Sequence, residues 1–99
     1  MKEEDFYKKE IKLIKEKLSI SKRKINDNRH EMKKMRDEME TLLVDTVLTT
    51  TNIHENKQKI VILKRRLEQS EDEFKDLKMI IKGLELREKV FQSILDEQK

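Results

Sequence analysis

Residues 11–42 read IKLIKEKLSISKRKINDNRHEMKKMRDEMETL, and the spacing of the apolar residues in this stretch decides the fold. Ile11, Ile14 and Leu18 are separated by three and then four residues, and later apolar residues fall at multiples of the same spacing. This alternation is typical of a coiled coil, in which the first and fourth residues of each heptad, positions a and d, face a partner helix. The stretch therefore predicts an α-helix with one side committed to a neighbouring helix.

The same count continues to the end of the chain without insertion or deletion. Position a falls at residues 4, 11, 18 and onward to 95, and position d falls at residues 7, 14, 21 and onward to 98. We therefore expect an all-α fold, with residues 1–99 forming a single coiled-coil segment and a left-handed supercoil. The predicted oligomer interface consists of Ile11, Ile14, Leu18, Ile25, Met32, Met35, Met39, Leu42, Ile53, Ile60, Leu63, Leu67, Phe74, Leu77, Ile81, Leu84, Phe91 and Leu95.

Composition supports association between helices. The 99-residue chain is 45% charged and 34% hydrophobic, so one copy is too polar to bury a closed globular core. The periodic order of the apolar residues argues against disorder. The absence of cysteine excludes disulfides and cysteine zinc sites, which fits an intracellular protein of the cytoplasm or nucleus. The longest apolar run, residues 60–63, is far shorter than a membrane span.

Residues 46–52 are the weak point of the pattern. Thr46 and Thr49 occupy core positions, and residues 49–52 are the poorest helix-forming run in the chain. Asn52 followed by Glu55 resembles a capping box that would start a second helix at Ile53. The unbroken heptad favours a helix that continues through this point, and a break with the chain folded back as a hairpin is the alternative. Residues 53–95 carry the stronger apolar seam.

A two-stranded dimer is the favoured assembly, with parallel and antiparallel arrangements nearly balanced. An antiparallel pairing centred near residues 46–47 gives more favourable charge pairs, among them Arg29 with Glu71, although Arg36 would face Lys64. The margin is about 1–2 kcal/mol, too small to decide the strand direction. A helical hairpin would make the same contacts within one chain. Apolar residues at the outward position c, such as Phe6, suggest a four-helix assembly as a further alternative.

The first half of the chain, residues 8–36, is basic. A stripe of cations recurs at position e of successive heptads: Lys8, Lys15, Lys22, Arg29 and Arg36. Such a stripe is commonly flanking charge that keeps a coiled coil soluble. Its functional interpretation is a docking surface for an acidic partner.

No pattern in the sequence predicts catalysis. There is no glycine-rich phosphate loop, no HExxH motif and no cysteine nucleophile, and His30 and His54 are far apart. We therefore expect no enzyme activity, no catalytic or metal-binding residues, no cofactor and no small-molecule substrate.

The sequence instead favours a structural or scaffold coiled coil that mediates oligomerisation or partner-helix binding in a cytoskeletal, kinetochore, centrosomal or tethering assembly. The expected partner is a second copy, as a dimer or a tetramer, or another helical protein. One alternative is a strand of a SNARE-like hetero-helical bundle. Another is a coiled coil whose basic N-terminal half docks to acidic partners.

Overall fold

The computed structural model describes residues 2–49 and 52–98, and both ranges are helical almost throughout. Helix α1 spans Lys2–Leu48 and helix α2 spans Ile53–Glu97. The first turn of α1 carries Glu3, Glu4 and Asp5, whose negative charges stabilise the positive end of the helix dipole. The predicted all-α class is confirmed.

The prediction that one helix continues through residues 46–52 is wrong, because α1 ends at Leu48. The Thr49 amide still donates to the Asp45 carbonyl at 2.9 Å, and the Thr49 hydroxyl donates to the same carbonyl at 3.1 Å. A second helix then begins as the Asn56 amide donates to the Asn52 carbonyl at 2.9 Å. Threonine and asparagine have low helix propensity, which explains why α1 ends here. Thr50 and Thr51 lie outside the described residues.

The chain divides into two compact units. Unit 1 joins the residues up to Ile25 with those from Asp76 onward. Within it the beginning of α1 packs antiparallel to the end of α2, and the rings of Tyr7 and Phe91 lie 5.5 Å apart between centroids. Its buried apolar side chains are Ile11, Ile14, Leu18 and Leu95.

Unit 2 spans Asn26–Lys75 and is a helical hairpin that contains the turn. Its buried apolar residues are Met32 and Leu63. Two buried asparagines, Asn28 and Asn56, also lie between its helices. Unit 2 therefore combines apolar packing with buried polar contacts.

The pairing register in unit 2 differs from the predicted antiparallel register. Arg36 pairs with Glu71 at 3.6 Å, one heptad further along α2 than the Lys64 predicted to face it. Arg29, predicted to pair with Glu71, lies instead over the ring of Phe74 at 5.2 Å from its centroid. The physical reason is the position of the turn. A turn between Leu48 and Ile53 is centred later in the chain than residues 46–47, so each residue of α1 meets a later residue of α2.

Candidate functional site

The residues predicted to form an oligomer interface come together between α1 and α2 of the same chain. Every one of them is buried or half-buried. Ile14 is the most enclosed of the apolar set, with 3% of its surface exposed. The structure thus brings the predicted interface residues together within each unit, and their role between chains stays a prediction.

Three polar residues at position d are also buried: Ser21, Asn28 and Asn56. Like Thr46 and Thr49, these three residues interrupt the run of apolar side chains at the core positions. From the heptad pattern alone, a polar residue at a core position is predicted to destabilise the seam. The pattern does not show which hydrogen-bond partner the residue meets in the fold. The partners decide whether burial costs or stabilises.

Asn28 in α1 forms hydrogen bonds to α2 within unit 2. The residue is 7% exposed, and its Nδ2 donates to the Ser70 carbonyl at 3.1 Å and to Glu73 Oε2 at 3.4 Å. Its Oδ1 is buried without a hydrogen-bond partner. A half-satisfied amide stabilises little, but it makes any register in which Nδ2 also loses its acceptors costly. Asn28 therefore acts mainly on which register the helices adopt.

Asn56 is the corresponding contact next to the turn. It is 4% exposed, and its Nδ2 donates to Asp45 Oδ2 at 2.8 Å and to the Thr46 hydroxyl at 3.3 Å. The Thr46 hydroxyl in turn donates to the Leu42 carbonyl at 2.8 Å. A hydrogen bond to an ionised carboxylate is stronger than one between neutral groups. This network joins the last turns of α1 to the first turn of α2.

The predicted basic stripe is largely engaged by groups of the chain itself. Lys8 pairs with Glu4 at 3.0 Å, Arg36 pairs with Glu71, and Arg29 lies over Phe74. The other two cations, Lys15 and Lys22, line an open cleft of about 620 Å³ in unit 1. Its remaining lining residues are Leu18, Ser19, Glu85, Glu88 and Lys89. Both carboxylates and cations line the cleft, so the local field is mixed in sign, and docking to an acidic partner stays a prediction.

Large apolar side chains also lie on the outside of both units. Val47 is the most exposed of them, at 85%, and it lies close to the turn. The exposed set is Phe6, Leu13, Ile20, Leu43, Val44, Val47, Leu48, Val61, Ile62, Met79, Ile80, Leu86 and Val90. The spacing of Phe6, Leu13 and Ile20, seven residues apart, places these three along one line of α1 in unit 1. The two-helix pairing therefore leaves apolar surface uncovered.

The described part of the chain shows no constellation for metal chemistry. Within residues 2–49 and 52–98, no three histidine, cysteine, aspartate or glutamate side chains are grouped so that they could hold a metal ion. His54 lies beside Gln58 on the same helix, with their Nε2 atoms 3.4 Å apart. Neither described helix combines the length and the apolar character that crossing a bilayer requires.

Comparison with protein-family models, curated proteins and solved structures found no match for this chain. Its function is therefore inferred from the seam between the helices, the buried asparagines and the outward apolar residues.

Proposed function

We propose that the chain is a structural coiled-coil protein whose seam of a and d residues mediates oligomerisation or the binding of a partner helix. Its role would be that of a scaffold in a cytoskeletal, kinetochore, centrosomal or tethering assembly. The observation that carries the proposal is the burial of every predicted interface residue along one side of each helix. Side chains placed in this way are hidden only when helices lie alongside one another.

The energetics of the seam favour helix pairing. Burying an aliphatic side chain contributes about 1.5–3 kcal/mol as an upper estimate. Ile11, Ile14 and Leu18 supply three such contributions within little more than two turns of α1. An isolated helix gains none of them, so α1 and α2 depend on a partner, which is either the other helix of the chain or a helix of another molecule.

The accessible surface supports further association. Among the described residues, large apolar side chains lie on the outside of both units. A protein–protein interface would remove such apolar side chains from water. Exposed side chains such as Leu13, Ile62 and Leu86 belong to that surface. A dimer through the seam is the expected assembly, and a tetramer or a bound partner helix would cover these outward residues as well.

Sedimentation equilibrium with circular dichroism tests the proposal. We expect the wild-type chain to be helical and its mean mass to rise with concentration over roughly 5–500 µM, since association follows mass action. Leu18→Lys buries a charge in the seam and should abolish both association and capture of helical partners. Ser19→Lys, on the exposed neighbouring residue, is the matched control and should change neither. Equal behaviour of the two variants in mass and in partner capture would contradict the proposal.

A further inference from the structure

The buried residues of α1 and α2 follow the same heptad count, although a turn separates the two helices. In α1, Ile11 and Met32 are buried, and Leu95 in α2 lies a whole number of heptads after each of them. The same holds for Ile14 in α1 and Leu63 in α2. A turn between two helices can have any length, and only about one length in seven preserves the heptad phase. A hairpin within one chain does not require α1 and α2 to share one heptad count, so the shared count needs another explanation.

A continuous helix supplies that explanation. If α1 and α2 joined into one helix, the buried residues of both would lie on one side of it. Two such helices lying antiparallel would place α1 of each chain against α2 of the other. Every α1–α2 contact of the folded-back chain would then recur between chains, including Asn28 with Ser70 and Arg36 with Glu71.

We propose that the chain exchanges helices with a second copy of itself, opening at the turn to form an antiparallel two-stranded dimer in the same register. This inference rests on the proposed function, because the same seam carries it. It commits to a second copy as the partner, and it adds the exchange of helices and the strand direction.

The balance between the two forms is set at the turn. Folding back makes the pairing intramolecular, with an effective concentration of about millimolar for a short connection. Thr49 and Asn52 disfavour a continuous helix, and Asn52 favours the start of α2. The folded-back form therefore dominates in dilute solution, and exchange increases with concentration and with the helix propensity of the turn.

Two variants of the full chain shift this balance in opposite directions. Thr49→Ala combined with Asn52→Ala favours a continuous helix, and we expect the dimer dissociation constant to fall at least about tenfold. Insertion of two glycines after Thr49 lengthens the turn, which a folded-back chain tolerates, but shifts the phase of a continuous helix. We expect the insertion to retain helicity and to raise the dissociation constant at least about tenfold.

Cross-linking shows which helices meet. The chain has no cysteine, so Arg36→Cys and Glu71→Cys can be placed on separate chains, mixed at high concentration and treated with a short bismaleimide. Exchange predicts a cross-linked heterodimer whose yield rises in the double-alanine background and falls in the insertion background. Lys34→Cys, which is exposed and lies away from the pairing, is the control partner for Glu71→Cys and should give little product.

The outcomes separate this inference from the proposed function. Equal dimerisation of the wild-type and insertion variants would overturn helix exchange while leaving oligomerisation through another surface intact. A wild-type dimer without the Arg36→Cys to Glu71→Cys product would do the same. If the wild-type and double-alanine chains both stay monomeric up to about millimolar concentration, exchange is wrong, and partner-helix capture alone decides the proposed function.

Discussion

The two compact units pair the same two helices by different means. Unit 1 buries Ile11, Ile14, Leu18 and Leu95 and places Tyr7 against Phe91. Unit 2 places buried asparagines between its helices, with hydrogen bonds that cross from one helix to the other. Apolar burial is nondirectional and tolerates several registers, whereas a hydrogen bond holds only at one distance and angle. We therefore expect unit 1 to contribute most of the folding stability, and unit 2 to determine the register in which the two helices pair.

Truncation in unit 1 should have the largest effect. Ile14→Ala removes a side chain that is 3% exposed, and the cavity should lower the free energy of unfolding by about 2–4 kcal/mol. Urea unfolding followed by circular dichroism measures the change. The neighbouring Leu13 is 47% exposed, so Leu13→Ala should cost less than about 1 kcal/mol. Similar losses for the two variants would argue against the assigned faces of α1.

Removal of the polar network at the turn should have the next largest effect. Asn56→Ala deletes the donor to Asp45 and Thr46 and should cost about 1–2 kcal/mol in the same assay. Asn26→Ala is the matched control, because Asn26 is exposed in the same unit. We expect the control to change stability by less than about 0.5 kcal/mol. If the Asn56→Ala chain were as stable as its control, the hydrogen bonds of Asn56 would not stabilise the hairpin.

Asn28→Leu should separate stability from register. The substitution replaces an amide with an unsatisfied Oδ1 by an apolar side chain, so the free energy of unfolding should rise by about 1 kcal/mol. The register should loosen, because leucine accepts more than one alignment of α2. Bismaleimide cross-linking of Arg36→Cys with either Glu71→Cys or Lys64→Cys in the same chain reports the register. Retention of the Glu71 product alone would show that Asn28 does not select the alignment.

The ion pair of unit 2 should contribute least to the free energy of unfolding. Both side chains of the pair between Arg36 and Glu71 are substantially exposed, so a double-mutant cycle with alanine should give a coupling of about 0.5 kcal/mol or less. The coupling should vanish in about 1 M salt, where the Debye length is about 3 Å. A coupling above about 1 kcal/mol that persists in high salt would make the pair a determinant of register, contrary to the role given to Asn28.

Much of this arrangement could be predicted from the sequence because burial follows local spacing. A helix carries residues three and four apart to the same face, so the positions of Ile11, Ile60 and Leu77 decide which side meets another helix. The outcome does not depend on which helix that is, so the half-burial of Ile60 and Leu77 follows from periodicity alone. The same argument identified the outward position of Phe6.

The turn and the register could not be predicted from the sequence for energetic reasons. The free energies of a helix that continues through residues 49–52 and of one that breaks there differ only by the helix propensities of a few residues. Each of these contributes less than about 1 kcal/mol. Charge pairs were compared between a parallel arrangement and one antiparallel register centred near residues 46–47, and the margin between these two was only about 1–2 kcal/mol. One contact that marks the observed register joins Asn28 to the backbone carbonyl of Ser70, and counting charged side chains does not include the backbone.

The most direct test of the central claim, that α1 pairs antiparallel with α2 of the same chain, is an electron–electron distance between spin labels at Arg36→Cys and Glu71→Cys. Labelled chains are diluted into unlabelled wild type at low micromolar concentration, so that only distances within a chain are detected. The contact between these side chains in unit 2 predicts a separation short enough to broaden the continuous-wave spectrum. A continuous helix would separate the same residues by about 50 Å, and a dominant population at that distance would contradict the account.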